Sequence, residues 1–408
     1  VAEGVKRNFL EGYGRMAGTV LVRARAFYSE YQLRDNFTGS GSAAIRNHGR
    51  AHRSPDRTGC GCHRQHARQK IDPPMRMSCP PEISVALCTY NGARFLREQV
   101  RSICLQTLPP IEIVLSDDAS RDGSVAVVRV TVAECAAERP GPPIALRVFE
   151  NPVALRVVKN FEQAISACTG DLIALSDQDD VWVPDRLERM VAPFVQDENL
   201  WLLHTDARLV DSQGRDLGNT LFHALEVTPS EIERIHTGRA FDVFLRRNLV
   251  TGATTVFRRG LLADALPLPV EWVHDEWLGI VASATSRVDL LEEPLIEYRQ
   301  HESNQIGARR DSFKEKVRKA LASRGNTHVE RAIKAELLLE RLLQLGDRVP
   351  PEIIDKVRSK IVHQRFRAAL PASRLARCVP VLREAMTGRY DKFGRGVRGV
   401  VRDLFESV

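Results

Sequence analysis

The stretch GDLIALSDQDDVW, Gly170–Trp182, decides the fold. Its apolar core, Leu172–Leu175, is too short for a helix and is bounded by polar residues, which reads as a buried strand. Three aspartates follow at once, Asp177, Asp179 and Asp180. They therefore stand at the carboxyl end of the strand, where open α/β sheets gather their ligands. Carboxylates crowded into one loop repel each other unless a cation or hydrogen-bond donors compensate. Asp177 and Asp179 can present oxygens to a single hard divalent ion, which also bridges a diphosphate. Such an ion stabilises the negative charge of a departing nucleoside diphosphate. A solvated acidic turn capping a helix that starts near Pro184-Asp185 is the plainer reading, and the loop by itself leaves both open.

The segments upstream repeat the pattern. Ile83–Leu87, Ile111–Leu115 and Ile144–Phe149 read as strands, and Phe95–Leu105, Ser124–Ala137 and Lys159–Cys168 as amphipathic helices between them. Asp122-Gly123-Ser124 supplies N-cap chemistry for the second helix. The resulting βαβαβαβ order predicts an α/β fold with a mainly parallel central sheet and helices on both faces. Two more polar clusters end strands, Thr89-Tyr90-Asn91 and Asp117-Asp118. Three clusters at three strand ends point to one ligand crevice far more strongly than any one of them.

Downstream, His274-Asp275-Glu276-Trp277 opens an apolar helix. A carboxylate there suits a general base for an acceptor hydroxyl, or is simply favourable charge at a helix N-terminus. Tyr298-Arg299-Gln300-His301 follows the apolar pair Leu295-Ile296, and His301 is a candidate metal ligand or diphosphate contact. Beyond it, residues 308–408 read as a basic helical C-terminal region. Ala332–Leu345 carries an apolar stripe, Pro350-Pro351 breaks it, and Tyr390–Val408 reads as a basic amphipathic end. Its arginines and lysines suit packing on the preceding domain, or a peripheral contact with anionic lipid.

Composition narrows the class. With 43% hydrophobic and 27% charged residues in 408, the chain can bury a large core. No apolar run approaches the roughly 18–20 residues that span a bilayer, and no charged-then-apolar leader is visible. The eight cysteines are scattered through apolar patterns, which suits reduced thiols in a cytoplasmic protein. The formal charge of +7 is uneven. Residues 1–76 hold 14 Lys+Arg against 6 Asp+Glu, so the rest is close to neutral and the basic pI does not argue for nucleic acid.

Residues 1–76 have neither helical nor strand periodicity and are rich in Arg, Gly, Ser and His. They read as a disordered or non-native extension ahead of a start-like Met77. Cys60, Cys62, His63 and His66 lie too close together for the usual structural-zinc spacings.

The quoted motifs, in this order, resemble the bacterial family 2 glycosyltransferases. ISVALCTYNGARFLREQVRSICLQT, SDDASRDGS, KNFEQAI and GDLIALSDQDDVWVPDRLERM resemble their N-terminal halves. VTGAT at Val250–Thr254, VHDEWLGIVAS at Val273–Ser283 and EPLIEYRQHESNQIG at Glu293–Gly307 look like a rhamnosyltransferase-type branch. The resemblance implies a GT-A fold over residues 77–307, a nucleoside-diphosphate sugar donor, Mg²⁺ or Mn²⁺, and inversion at the anomeric carbon. It implies dTDP-rhamnose as donor and a saccharide or lipid-linked acceptor in cell-surface polysaccharide synthesis, on the inner face of the membrane. It assigns Thr89, Tyr90, Asn91, Asp117, Asp118, Lys159, Asp177 and Gln178 to the donor. It assigns Asp177, Asp179 and His301 to the metal, with Asp180 assisting. Asp275 becomes the base, with Glu276 as second candidate. One departure stands out: Ala154-Leu155-Arg156 replaces the usual Asn-Leu-Gly, which puts the tight turn there in doubt.

Competing classes fit less well. A nucleotidyltransferase needs a Gly-rich basic loop after the first strand, and a Rossmann oxidoreductase needs GxGxxG there; Thr89–Arg94 is neither. A catalytically inactive nucleotide-sugar binder of the same fold would be expected to lose acids from the metal loop or the base position, and both are intact.

Overall fold

The computed structural model describes residues 81–301 and 326–406. The expectations for residues 1–76, for Met77 and for Glu302–Gly307 lie outside the described residues. The sheet begins as the sequence predicts, with β1 (Ile83–Thr89), β2 (Glu112–Asp117), β3 (Ala145–Glu150) and β4 (Leu172–Ser176) all parallel, in the order β3-β2-β1-β4. β1, β2 and β4 are buried along their whole length, because helices cover both faces. Successive residues of β1 serve opposite cores. Val85 and Leu87 join Leu96, Val100 and Val128, while Ala86 and Cys88 join Phe161 and Trp277.

The short β5 (Val181–Trp182) is followed by β6 (Leu200–Val210), β7 (Asp216–Thr220), β8 (Thr255–Arg258) and β9 (Arg287–Arg299), which extend the same sheet to nine strands. β8 runs antiparallel to β4 and β6, and β9 runs parallel to β6 with several register shifts. The whole is a mixed sheet with one parallel half, the GT-A arrangement. The C-terminal helices continue it. Thr327–Gln344 and Pro351–Ala368 place Leu338, Leu342, Val357 and Ile361 in the same core as Trp277 and Leu278. Pro351 opens a new helix as well as ending the preceding stretch, as its lack of an N–H allows. Within the basic end expected over Tyr390–Val408 stand two helices, Arg389–Phe393 and Val397–Phe405, parted at Gly394–Gly396. Among the described residues, no helix is long and apolar enough to cross a membrane.

Where Ala154-Leu155-Arg156 replaces the usual Asn-Leu-Gly, the chain still takes the left-handed conformation at its last residue. Arg156 adopts φ +68°, the left-handed conformation a glycine would take without strain. The helix it opens, Arg156–Ala167, starts three residues before the expected Lys159. A non-glycine residue there costs about 1–2 kcal/mol. Arg156→Gly therefore raises stability by roughly 0.5–1 kcal/mol, the greater freedom of glycine in the unfolded chain taking back part of the gain. A shift of the urea midpoint upward, at unchanged m-value, is the expected reading.

Candidate active site

The carboxyl ends of β1, β2 and β4 form the floor. β1 and β2 are in register with Thr89 beside Asp117, and Leu87 lies beside Ser176 just before the acidic loop. Three non-glycine residues around this rim, Asn91, Ala119 and Arg156, have positive φ. Such concentrated backbone strain is characteristic of functional loops.

Hydrogen bonds knit the loops together. The Thr89 hydroxyl and the Tyr90 N–H each donate to Gln178 Oε1 at 2.8 Å. Gly92 permits this approach, since a Cβ there would lie 2.3 Å from Gln178 Oε1. The Asn91 N–H donates to Ser120 Oγ, and Asn91 Oδ1 accepts from the Arg121 N–H. Gln178 Oε1 and Asn91 thus brace the loops, and of the first cluster Thr89 is buried while Asn91 and Tyr90 are exposed, Tyr90 at 49%. Asp118 is spent on structure: its two carboxylate oxygens accept the Leu155 and Arg156 N–H groups at the start of the next helix. Asp117 differs, because Oδ2 accepts the Ser120 N–H while Oδ1 is buried without a partner. A cleft of about 380 Å³, lined by Asp117, Ser120, Arg129 and Glu150, opens there. Lys159 donates to Glu162 and to the Leu268 carbonyl.

The acidic loop meets residues from two distant segments. His301 Nε2 lies 2.6 Å from Asp179 Oδ2, and its ring stacks on Phe95 at 5.0 Å. Asp180 Oδ1 accepts the Arg299 N–H, while its Oδ2 is buried and unpartnered. Burial raises the Asp177 carboxyl above the usual carboxylate range, with Asp179 and Asp275 adding to the effect. Burial likewise raises Asp180 and, together with the surrounding acids, Tyr298. Asp177, Asp179, Asp180 and Asp275 therefore share one electrostatic neighbourhood. Carboxylate oxygens with one imidazole nitrogen make a donor set that suits a hard divalent cation such as Mg²⁺ or Mn²⁺. The mutual repulsion and the orphaned Asp180 oxygen fit such an ion. Elsewhere, His328, Asp403 and Glu406 also converge, but guanidinium groups already hold these acids: Arg367 binds Asp403 through two 2.6 Å hydrogen bonds, and Arg402 binds Glu406.

The two candidate bases part company. Asp275 Oδ2 accepts the Gly252 N–H at 2.7 Å and Oδ1 accepts the Glu276 N–H. Burial pushes its pKa up to about 6, against these hydrogen bonds. Glu276 faces the C-terminal helices instead, where Lys334 donates to it at 2.7 Å. Lys334 holds it as a tether between the first part of the chain and the C-terminal helices. His274 is buried against Phe161, ring centroids 3.8 Å apart, and burial holds its pKa down to about 3.

Two arginines escaped the sequence reading. Arg186 is fully buried over Trp182, 3.8 Å from the ring centroid, and donates to the Ala253 carbonyl. Burial lowers its pKa to about 9, and Asp180 partly restores it. Arg299 donates to the Asp179 carbonyl and to Glu98. The i, i+4 pair Trp182/Arg186 was a visible signal for the first; no local pattern marks the second. Gly252 was also overlooked as a packing element. A Cβ there would lie 2.8 Å from His274 Nε2, whose ring the Phe161 stack confines. Gly252→Ala is expected to cost about 1–3 kcal/mol, as overpacking does, read as a lower denaturation midpoint.

The acids gather in a crevice at the carboxyl ends of the strands of an open α/β sheet. Residues 84–264 match the model of the family described as Glycosyl transferase family 2, and that stretch is a family 2 glycosyltransferase domain. The chain is 27% identical over 227 residues to an uncharacterized glycosyltransferase of Nostoc sp., covering 55% of this chain and 66% of that protein. It is 30% identical over 135 residues to the uncharacterized glycosyltransferase YwdF of Bacillus subtilis, covering 33% and 45%. It is 24% identical over 246 residues to the dTDP-rhamnosyl transferase RfbG of Shigella flexneri, covering 57% and 77%. The chain thus spans less than two thirds of the length of the first two relatives.

Proposed function

We propose that this protein transfers a sugar from a nucleoside-diphosphate donor to a hydroxyl acceptor, with inversion at the anomeric carbon. The observation that carries the reading is that Asp177 and Asp179, at the end of β4, and a buried Asp275, about a hundred residues further on, share one electrostatic neighbourhood. A diphosphate site and a base on separate segments are what in-line displacement needs. Asp275 takes the proton of the acceptor hydroxyl as its oxygen bonds to the anomeric carbon. The bond from that carbon to the diphosphate breaks on the opposite face, and the nucleoside diphosphate leaves. The N–H groups of Gly252 and Glu276 hold the Asp275 carboxylate in one orientation. Asp177, Asp179 and His301 would hold Mg²⁺ or Mn²⁺, which when bound neutralises charge on the leaving diphosphate.

Asp117, with its free buried oxygen beside the cleft, is the residue we assign to the base of the nucleotide; Tyr90 borders the same rim. The donor we favour is dTDP-rhamnose, supported by the resemblance of the later motifs and by the named activity of the Shigella relative. The acceptor would be a saccharide or lipid-linked intermediate of cell-surface polysaccharide. Competition among dTDP-rhamnose, UDP-glucose and GDP-mannose for transfer tests the donor, and proton NMR of the product tests inversion. Preference for a UDP- or GDP-sugar would replace the donor assignment, and retained configuration would remove Asp275 as the base.

A further inference from the structure

The helix Arg374–Met386 turns Arg377, Val381 and Glu384 inward, where the Arg377 guanidinium donates to the Asp403 and Glu406 carbonyls. Its opposite face is apolar and open to solvent. Leu375, Val379, Leu382 and Met386, spaced four, three and four residues apart, form one stripe and are 87%, 57%, 56% and 82% exposed. The neighbouring helix Val397–Phe405 repeats the device: Val397, Val401 and Phe405 are 76%, 49% and 58% exposed, four residues apart, while Gly399 and Asp403 are buried. Singly exposed apolar residues are ordinary, but seven in two periodic stripes mark an interaction surface.

Charge selects the occupant. Three of the four acids between residues 374 and 406 are turned inward and paired. Glu384 binds His363 and Arg389, Asp403 binds Arg367 and Tyr390, and Glu406 binds Arg402. The charge left on the outside is dominated by Arg374, Arg383, Lys392, Arg395 and Arg398, all exposed, against Asp391 alone. Arg374 and Arg383 border the apolar stripe on either side, by the 100° step of a helix. An apolar stripe edged by arginine, with the acids withdrawn, is the pattern of a helix lying in the interface of an anionic bilayer.

We propose that this face docks the protein on an anionic lipid bilayer, with Leu375, Val379, Leu382 and Met386 entering the headgroup–acyl boundary. The proposal does not depend on the glycosyl-transfer reading, since none of these residues touches the acidic loop or Asp275.

Flotation of the full chain with vesicles tests it. Vesicles of equal parts phosphatidylcholine and phosphatidylglycerol should carry the protein upward, and vesicles of phosphatidylcholine alone should leave it behind. Leu375→Asp with Met386→Asp should abolish flotation. Arg374→Gln with Arg383→Gln should weaken binding roughly thirtyfold, two charges each worth a factor of about five near the surface. All four side chains are exposed, so both double variants should melt like the parent, and circular dichroism checks this. Failure of the parent to float with anionic vesicles overturns the proposal. So does a dimer in sedimentation velocity that the aspartate pair converts to monomer, which would give the face to a second copy of the chain.

Discussion

Asp275→Asn is expected to lower the transfer rate by on the order of 10²–10⁴-fold, the usual worth of general acid–base catalysis, with donor affinity nearly unchanged. The substitution keeps the shape and removes the basicity. The amide oxygen can keep the Gly252 N–H, while the amide nitrogen then faces the Glu276 N–H and gives up that one hydrogen bond. The pH profile gives a second reading. Burial raises this carboxyl to about 6. The base must be ionised to work, so kcat/KM should be full above that pH and fall as pH drops through about 6; the asparagine variant should lose this limb. Glu276→Gln should leave the rate close to the parent's, because Glu276 is bound to Lys334 away from the acidic loop. A larger loss in Glu276→Gln than in Asp275→Asn, at equal donor affinity, would move the base one residue along the helix.

Asp179→Ala is expected to weaken metal-dependent binding of a nucleoside diphosphate by more than about a hundredfold, since loss of a group that merely supports a ligand already costs 10–100-fold. The side chain lies in a polar loop, and its neighbours stay anchored. The Arg299 guanidinium binds the Asp179 backbone carbonyl, which alanine keeps, and the Arg299 N–H still binds Asp180. The fold should therefore survive while His301 loses its 2.6 Å partner. Calorimetric titration of Mn²⁺ with the diphosphate present reads the effect. An unchanged affinity would take Asp179 out of the metal site.

The parallel half of the sheet was legible because each strand is a short apolar run that ends abruptly in polar residues. β1, β2 and β4 are covered on both faces, so nothing but their length and their ends needed reading. The antiparallel half was not. β6 buries His204, Thr205 and Asp206 within an 11-residue strand, and its partner β9 pairs with it through several register shifts. No local alternation announces such a strand. The start of the helix at Arg156 was hidden for another reason, since an arginine in the left-handed region carries no glycine to signal the turn.

The acids of the site were legible as types and as strand-end positions. Their division of labour was not. Asp118 looks identical to Asp117 in the sequence, yet the first caps a helix and the second keeps a buried oxygen free. Asp275 and Glu276 are adjacent, and the choice between them rests on Lys334, 58 residues downstream of Glu276. Arg299 fixes the acidic loop through Asp179 and through Glu98, contacts spanning 120 and 201 residues. Such roles are set by long-range packing, which periodicity and spacing do not encode.

We propose that this crevice turns over a nucleoside-diphosphate sugar with the help of a divalent cation. Release of free nucleoside diphosphate by the parent protein, measured across dTDP-, UDP- and GDP-sugars with Mn²⁺ and then with chelator, tests it most directly. Release from at least one donor is expected, abolished by chelator and restored by Mg²⁺ or Mn²⁺. Release that continues unchanged in chelator would contradict the metal assignment, and no release from any donor, with nucleoside diphosphate still bound, would make the protein a binder and not a transferase.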